Sequence, residues 1–297
     1  MENLKVELGS VLGEPLSRMQ QVSEQPYAHL YSLYNKAGTA LPILAKAYVC
    51  QGIAQQESYK LSLLAREGNI RLPIVYGIVS FDHGLYREML LLERLPGISV
   101  EAPTRTPERW GVLMDQIIES LLAWRRVDSR GCVGMVDACQ ENQWGNWYQH
   151  RIDVLWAALN KTVADKLDYQ DRCVLLRSKL CMNKLFEDFD DSAVLVHGNI
   201  TLRSMLKDAR SDQLLSMLNP GVMLWAPREY ELFRLCSEGM PTQLFFRYLE
   251  RAPVSESFIA RRWFYVLWEA VSRYLHTGSL NQPAFKRASQ YLVPWLG

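Results

Sequence analysis

A chain of 297 residues with 33 Lys and Arg against 32 Asp and Glu has no overall field to draw in nucleic acid or an anionic membrane surface, so neither is expected as a partner. Hydrophobic residues at 48% and charged residues at 22% exclude a disordered chain and predict one two-lobed unit or two closely apposed domains. The N-terminus is charged and periodic, unlike a signal peptide, and no apolar stretch approaches the roughly 18 residues of a membrane helix, so a soluble cytoplasmic protein is expected. The six cysteines, Cys50, Cys132, Cys139, Cys173, Cys181 and Cys236, contain no CxxC pair and read as reduced, mostly buried thiols.

From Leu16 to about Leu95 the hydrophobic period is mostly that of strands: Ala28 to Leu33, Leu41 to Val49, Ile74 to Val79 and Met89 to Leu92. The turn Asn35-Lys36-Ala37-Gly38 separates the first two, and Ala54 to Arg66 carries Leu61, Leu64 and Ala65 at helical spacing. Two strands, a helix and two strands predict a small antiparallel lobe over residues 1–95. After Pro96-Gly97 the period changes to that of a helix, with Trp110, Leu113, Ile117, Leu121 and Trp124 on one stripe that reads as core packing. Helices follow over Ile152 to Leu159 and Gln170 to Phe186. The apolar run Ala193 to Val196 then ends at His197-Gly198, and two short strands, Ser204 to Leu206 and Leu214 to Leu218, flank the polar turn Asp208-Ala209-Arg210-Ser211-Asp212, whose two aspartates read as solvated turn residues. Helical segments dominate from Glu229 onward, so residues 96–297 form the larger, mainly helical lobe.

The segment Val194-Leu195-Val196-His197-Gly198-Asn199-Ile200-Thr201-Leu202-Arg203-Ser204 resembles the catalytic loop of the aminoglycoside phosphotransferase and choline-kinase-like superfamily, an apolar strand followed by His-Gly-Asp and an Asn five residues beyond the Asp. The resemblance implies a protein-kinase-like fold of the α+β class. It also implies that the acid at position 199 accepts the substrate hydroxyl proton and that position 204 helps hold a metal. Here Asn199 and Ser204 occupy those places. Ungapped counting puts Asn219, after Leu215-Ser216-Met217-Leu218, at the second metal-binding acid, and Pro227-Arg228-Glu229-Tyr230-Glu231-Leu232 resembles the motif that supports the loop, with Glu231 as its acid. Ala226 to Phe233 is most similar to the YcbJ-type bacterial proteins.

By the same resemblance, Lys46 is the phosphate-binding lysine and Glu57 its helix partner, although a lysine flanked by alanines also reads as a solvent-facing edge residue. Glu93 and Leu95 fall in the hinge that cradles adenine, and Arg125 replaces a histidine at the end of its helix. Ser23 to His29, in the strand-turn-strand expected to cover the nucleotide, contains no glycine. His197 reads as a buried structural group.

An amide cannot act as a base at neutral pH, and Mg²⁺ prefers carboxylates and phosphate oxygens, so Mg²⁺ is not expected at Ser204 and Asn219 and a conventional kinase step at Asn199 is disfavoured. The reading is a pseudokinase-like binding or regulatory protein whose cofactor is ATP and whose partner is a small molecule or a protein. The alternative is an active small-molecule kinase, phosphorylating a hydroxyl or amine, that recruits metal through groups such as Asp190 or Glu229.

Overall fold

The computed structural model describes residues 2–25, 28–138, 141–162, 166–187, 189, 192–237 and 239–296. In chain order the elements are α1 (Glu2–Leu12), β1 (Leu16–Gln25), β2 (Ala28–Asn35), β3 (Ala40–Tyr48), α2 (Ile53–Glu67), β4 (Val75–Ser80), β5 (Glu88–Glu93), β6 (Ile98–Ser99) and α3 (Pro107–Trp124). Then come β7 (Gly134–Met135), α4 (Trp144–Lys161), α5 (Tyr169–Leu180), α6 (Met182–Leu185), β8 (Ala193–Val196), β9 (Met205–Lys207) and β10 (Leu214–Met217). The chain closes with β11 (Leu224–Pro227), α7 (Glu229–Leu235), α8 (Thr242–Arg251), α9 (Phe258–Thr277) and α10 (Gln282–Leu292). No helix is long and apolar enough to cross a membrane among the described residues.

The chain divides into two compact units, residues 1–109 with 205–220, and residues 110–204 with 221–297. The line drawn after residue 95 falls inside the first unit, because β6 pairs with β9 and the β9–β10 hairpin folds with it. Such a return of distant chain leaves no mark on local periodicity.

The first unit holds an antiparallel sheet of order β1-β2-β3-β5-β4. Side chains alternate across a strand, so β3 and β5 feed two cores. Leu41, Ala45, Ala47, Met89 and Leu91 share one with Leu33 and Leu8, whereas Tyr48, Leu90 and Leu92 share the other with Ala54 and Leu61 of α2. Leu8 belongs to α1, so this unit carries two helices where the sequence reading found one. The α1 segment has a weak apolar stripe, and only packing against β1 defines it.

The same unit contains the small sheet β10-β9-β6. Lys207 is fully buried there, its Nζ donating to the carbonyls of Ala102 (2.7 Å) and Pro103 (3.0 Å) and pairing with Asp212 Oδ1 at 2.9 Å. Asp212, read from sequence as a solvated turn residue, is therefore an internal anchor that also accepts the Arg105 N–H. Asp208 keeps its expected turn role and accepts from the amides of Arg210 and Ser211. Gly97 has φ +133°, and a Cβ there would sit 2.9 Å from the Lys207 carbonyl oxygen, so the close approach of these strands requires glycine.

In the second unit the α3 stripe packs as expected, with Leu113, Ile117, Leu121 and Trp124 buried. The helix read over Gln170 to Phe186 is broken at Cys181 into α5 and α6. Buried aromatic rings of Trp144, Tyr148, Tyr230 and Tyr265 pack on one another, and beside Tyr265 the buried Glu229 takes a two-pronged ion pair from Arg261 (2.8 and 2.9 Å) and a hydrogen bond from the Tyr265 hydroxyl. Cys132 is disulfide-bonded, which corrects the reading of six reduced thiols, while Cys50 is exposed and Cys173, Cys181 and Cys236 are half-buried. Cys139 lies outside the described residues.

Candidate functional site

Lys46 sits on β3, paired on both sides by β2 and β5, so it is no edge residue. Alternation points it away from Ala45 and Ala47 toward the face that α2 covers. There its Nζ lies 2.8 Å from both Glu57 oxygens, and the Tyr48 hydroxyl donates to Glu57 Oε2 at 2.6 Å. The sequence reading thus joins Lys46 and Glu57 correctly, and it missed Tyr48, whose aromatic type on a strand gave no chemical signal. Burial first, then the Glu57 carboxylate, hold the Tyr48 hydroxyl far above the ordinary tyrosine range, so it stays a donor.

Asn219 joins this cluster. It follows β10 with φ +53°, a left-handed conformation that asparagine tolerates, and its Oδ1 accepts from Lys46 Nζ at 3.3 Å. The three ammonium hydrogens therefore face two carboxylate oxygens and one amide oxygen. Helix α2 starts at Ile53, and Gly52 before it has no side chain to cap the helix. Glu88 of β5 acts in its place, accepting the amides of Gly52 (3.0 Å) and Ala54, which fixes the turn that carries Glu57. Nothing in the spacing of Glu88 announced that role.

Glu93 ends β5, its amide donating to the Ile74 carbonyl and its carboxylate pairing with Arg71, and Leu95 follows half-buried. The Glu93 side chain thus ties the strand end to the residues before β4. Strands β1 and β2 pair antiparallel from Leu16 opposite Asn35 to Gln25 opposite Ala28, with register shifts between Leu16 and Arg18 and between Gln21 and Ser23; residues 26–27 between them lie outside the described residues.

The second unit brings Asn199 and Ser204 together. Ser204 is buried, and its Oγ donates toward the carbonyls of Asn199 (2.9 Å) and Thr201 (2.8 Å) while accepting the Thr201 amide (3.2 Å). The hydroxyl at the second metal position is committed to bracing its own loop. Glu231 Oε1 accepts the amides of His197 (2.9 Å) and Gly198 (3.2 Å), the support that the resemblance assigned to it. Burial raises the Glu231 pKa, opposed by the Arg125 guanidinium and the two amides. His197 is fully buried and stacks on Trp124, so its structural reading fits. Gly198 has φ +77°, and a Cβ would lie 2.3 Å from the Val222 carbonyl oxygen, which makes glycine obligatory. Of the alternative metal recruiters, Glu229 is enclosed with Arg261, and Asp190 lies outside the described residues with Asp191.

The sequence profile of the fructosamine kinase family matches residues 43–292. The protein YcbJ of Escherichia coli (strain K12) is 51% identical over 296 residues, covering 100% of both chains. Among solved structures, a Haemophilus somnus 129PT protein provisionally named a fructosamine-3-kinase superposes with a TM-score of 0.74 at 16% identity, over 99% of this chain and 97% of its own. A thermostable mutant of the aminoglycoside phosphotransferase APH(4)-Ia, in a ternary complex with AMP-PNP and hygromycin B, superposes with a TM-score of 0.72 at 15% identity, over 99% of this chain and 98% of its own. These likenesses give the bilobal protein-kinase-like fold of the α+β class.

Proposed function

This chain belongs to the fructosamine kinase family, and from that premise we propose that it binds an adenine nucleotide without needing a divalent cation and transfers phosphate slowly or not at all. The observation that carries this reading is the Lys46–Glu57–Asn219 cluster. An ammonium, a carboxylate and a neutral amide sum to zero charge. A carboxylate at position 219 would leave the cluster one charge negative, and a cation would then be needed to bring in a polyphosphate. The amide removes that demand while the lysine remains held for a phosphate oxygen. That a protein of the same fold holds AMP-PNP supports ATP as the ligand to try.

Weak transfer follows from the loop. Asn199 cannot accept a proton, which removes positioned-base assistance of about 10²- to 10⁴-fold. Ser204 directs its hydroxyl inward, and neither residue brings a carboxylate to a metal. A second reading, an active small-molecule kinase acting on a hydroxyl or amine, draws on the intact Lys46–Glu57 pair.

Calorimetric titration of the purified protein with ATP, with and without magnesium, separates the two. The proposal expects binding that magnesium leaves unchanged, and no steady phosphate transfer. Binding strengthened about tenfold or more by magnesium would promote the kinase reading. Absence of binding in both conditions would remove the nucleotide from the account and turn the search to protein partners in the cytoplasm.

A further inference from the structure

Along α9 two consecutive arginines have opposite fates. Arg261 is buried and saturated, donating to Glu229, Ser255, Ser257 and the Leu185 carbonyl. Arg262 is half-buried, its Nε is enclosed without a hydrogen-bond partner, and no carboxylate among the described residues pairs with its guanidinium. That guanidinium lies 4.3 Å from the centre of the Trp263 ring, and Trp263 in turn stacks on Tyr291 at 4.8 Å and 12°. The stack holds the cation's plane in place without neutralising it.

Arg262 lines a groove of about 310 Å³ between the end of α8 and the start of α9, whose other walls include Phe245, Leu249, Phe258 and Ile259. That volume stands at the lower end of the roughly 300–1,000 Å³ typical of small-molecule pockets, so it suits one compact ligand and not a docked helix. The walls are apolar, so the ligand needs an apolar body. The single unsatisfied cation asks for a single negative charge, and Glu256, exposed on the rim, opposes any polyanion.

We propose that this groove binds a small amphiphilic monocarboxylate, its apolar body against Phe245, Leu249, Phe258 and Ile259 and its carboxylate on the Arg262 guanidinium. A planar guanidinium donates to both oxygens of a carboxylate at once, which a lysine in the same place would not match. The site lies wholly within the second unit and does not depend on the nucleotide reading.

The test is calorimetric titration of the full chain with 4-phenylbutyrate and, in parallel, its neutral amide. The expected result is acid binding at least about tenfold tighter than amide binding, the scale of one charge-assisted hydrogen-bond pair. Arg262→Met, which keeps the apolar stem, should abolish that preference. Ile259→Asp, at an exposed position where folding is not at stake, should weaken the acid about tenfold or more with thermal unfolding unchanged. Equal binding of acid and amide, equal acid binding by the wild type and Arg262→Met, or no binding of the acid would each overturn the proposal.

Discussion

Two lysines are buried in the first unit, and their surroundings are opposite in kind. Lys207 is held by two backbone carbonyls and Asp212, whereas Lys46 is held only by side chains, the Glu57 carboxylate and the Asn219 amide. Carbonyls belong to the chain trace and cannot leave without local unfolding. Side chains can rotate away when a ligand offers a better acceptor. Burial and an acidic partner are common to both, so neither marks a site; the exchangeability of the remaining acceptor does. On that ground we propose Lys207 as a fastener and Lys46 as the binding group.

The largest expected effect tests the fastener. Lys207→Met should destabilise the protein by about 3–5 kcal/mol in denaturant titrations, the range for removing one member of a buried pair and stranding the other. Lys46→Met should cost less, about 1–3 kcal/mol, because Glu57 keeps the Tyr48 hydroxyl as a donor. It should also lower ATP affinity at least tenfold. Equal losses of stability in the two variants would erase the distinction between these lysines.

A smaller effect is expected at Asn219. Replacing it with Ala frees one ammonium hydrogen and should tighten metal-free ATP binding a few-fold. Replacing it with Asp adds a charge and should make binding rise with magnesium by about tenfold, a dependence that the proposal denies to the wild type. Calorimetry on both variants is sufficient. A weaker Ala variant would make the Asn219 amide a ligand to the nucleotide and not an occupant of its place.

The contrast also explains what was legible beforehand. Strands at Ala28 to Leu33, Leu41 to Val49 and Met89 to Leu92, and the helix at Ala54 to Arg66, lie within a residue or two of β2, β3, β5 and α2, because alternation and helical spacing are local signals. The pairing of Lys46 with Glu57 was reached through motif order, and with it the place of Asn219. What stayed hidden depends on distant chain meeting distant chain. Glu88 caps a helix from the far end of the lobe's sequence, accepting the amides of Gly52 and Ala54 at separations of 36 and 34 positions, Asp212 is tied to Arg105 across 107 positions, and Ser204 looks like a metal position until its hydroxyl is seen facing inward. None of these has a period or a spacing that could have revealed it.

The smallest effect is a pH dependence, and it probes the fastener by its charge alone. The Lys207 ammonium, then the Arg105 amide, hold the Asp212 carboxyl below the ordinary carboxylate value of about 4. A group whose folded pKa is depressed contributes stability that is fully present above its unfolded pKa and is lost as pH falls through the folded one. The Asp212 contribution should therefore be intact at neutral pH and fade below about pH 4. Asp212 has φ +61°, a conformation that asparagine adopts readily, so Asp212→Asn removes the charge without straining the backbone. The variant should be less stable than the wild type at pH 7, and the gap between their denaturation midpoints should narrow on acidification. A gap that stays constant from pH 7 to pH 3 would mean that shape and not charge holds the hairpin, and Lys207 would then owe its place to the two carbonyls alone.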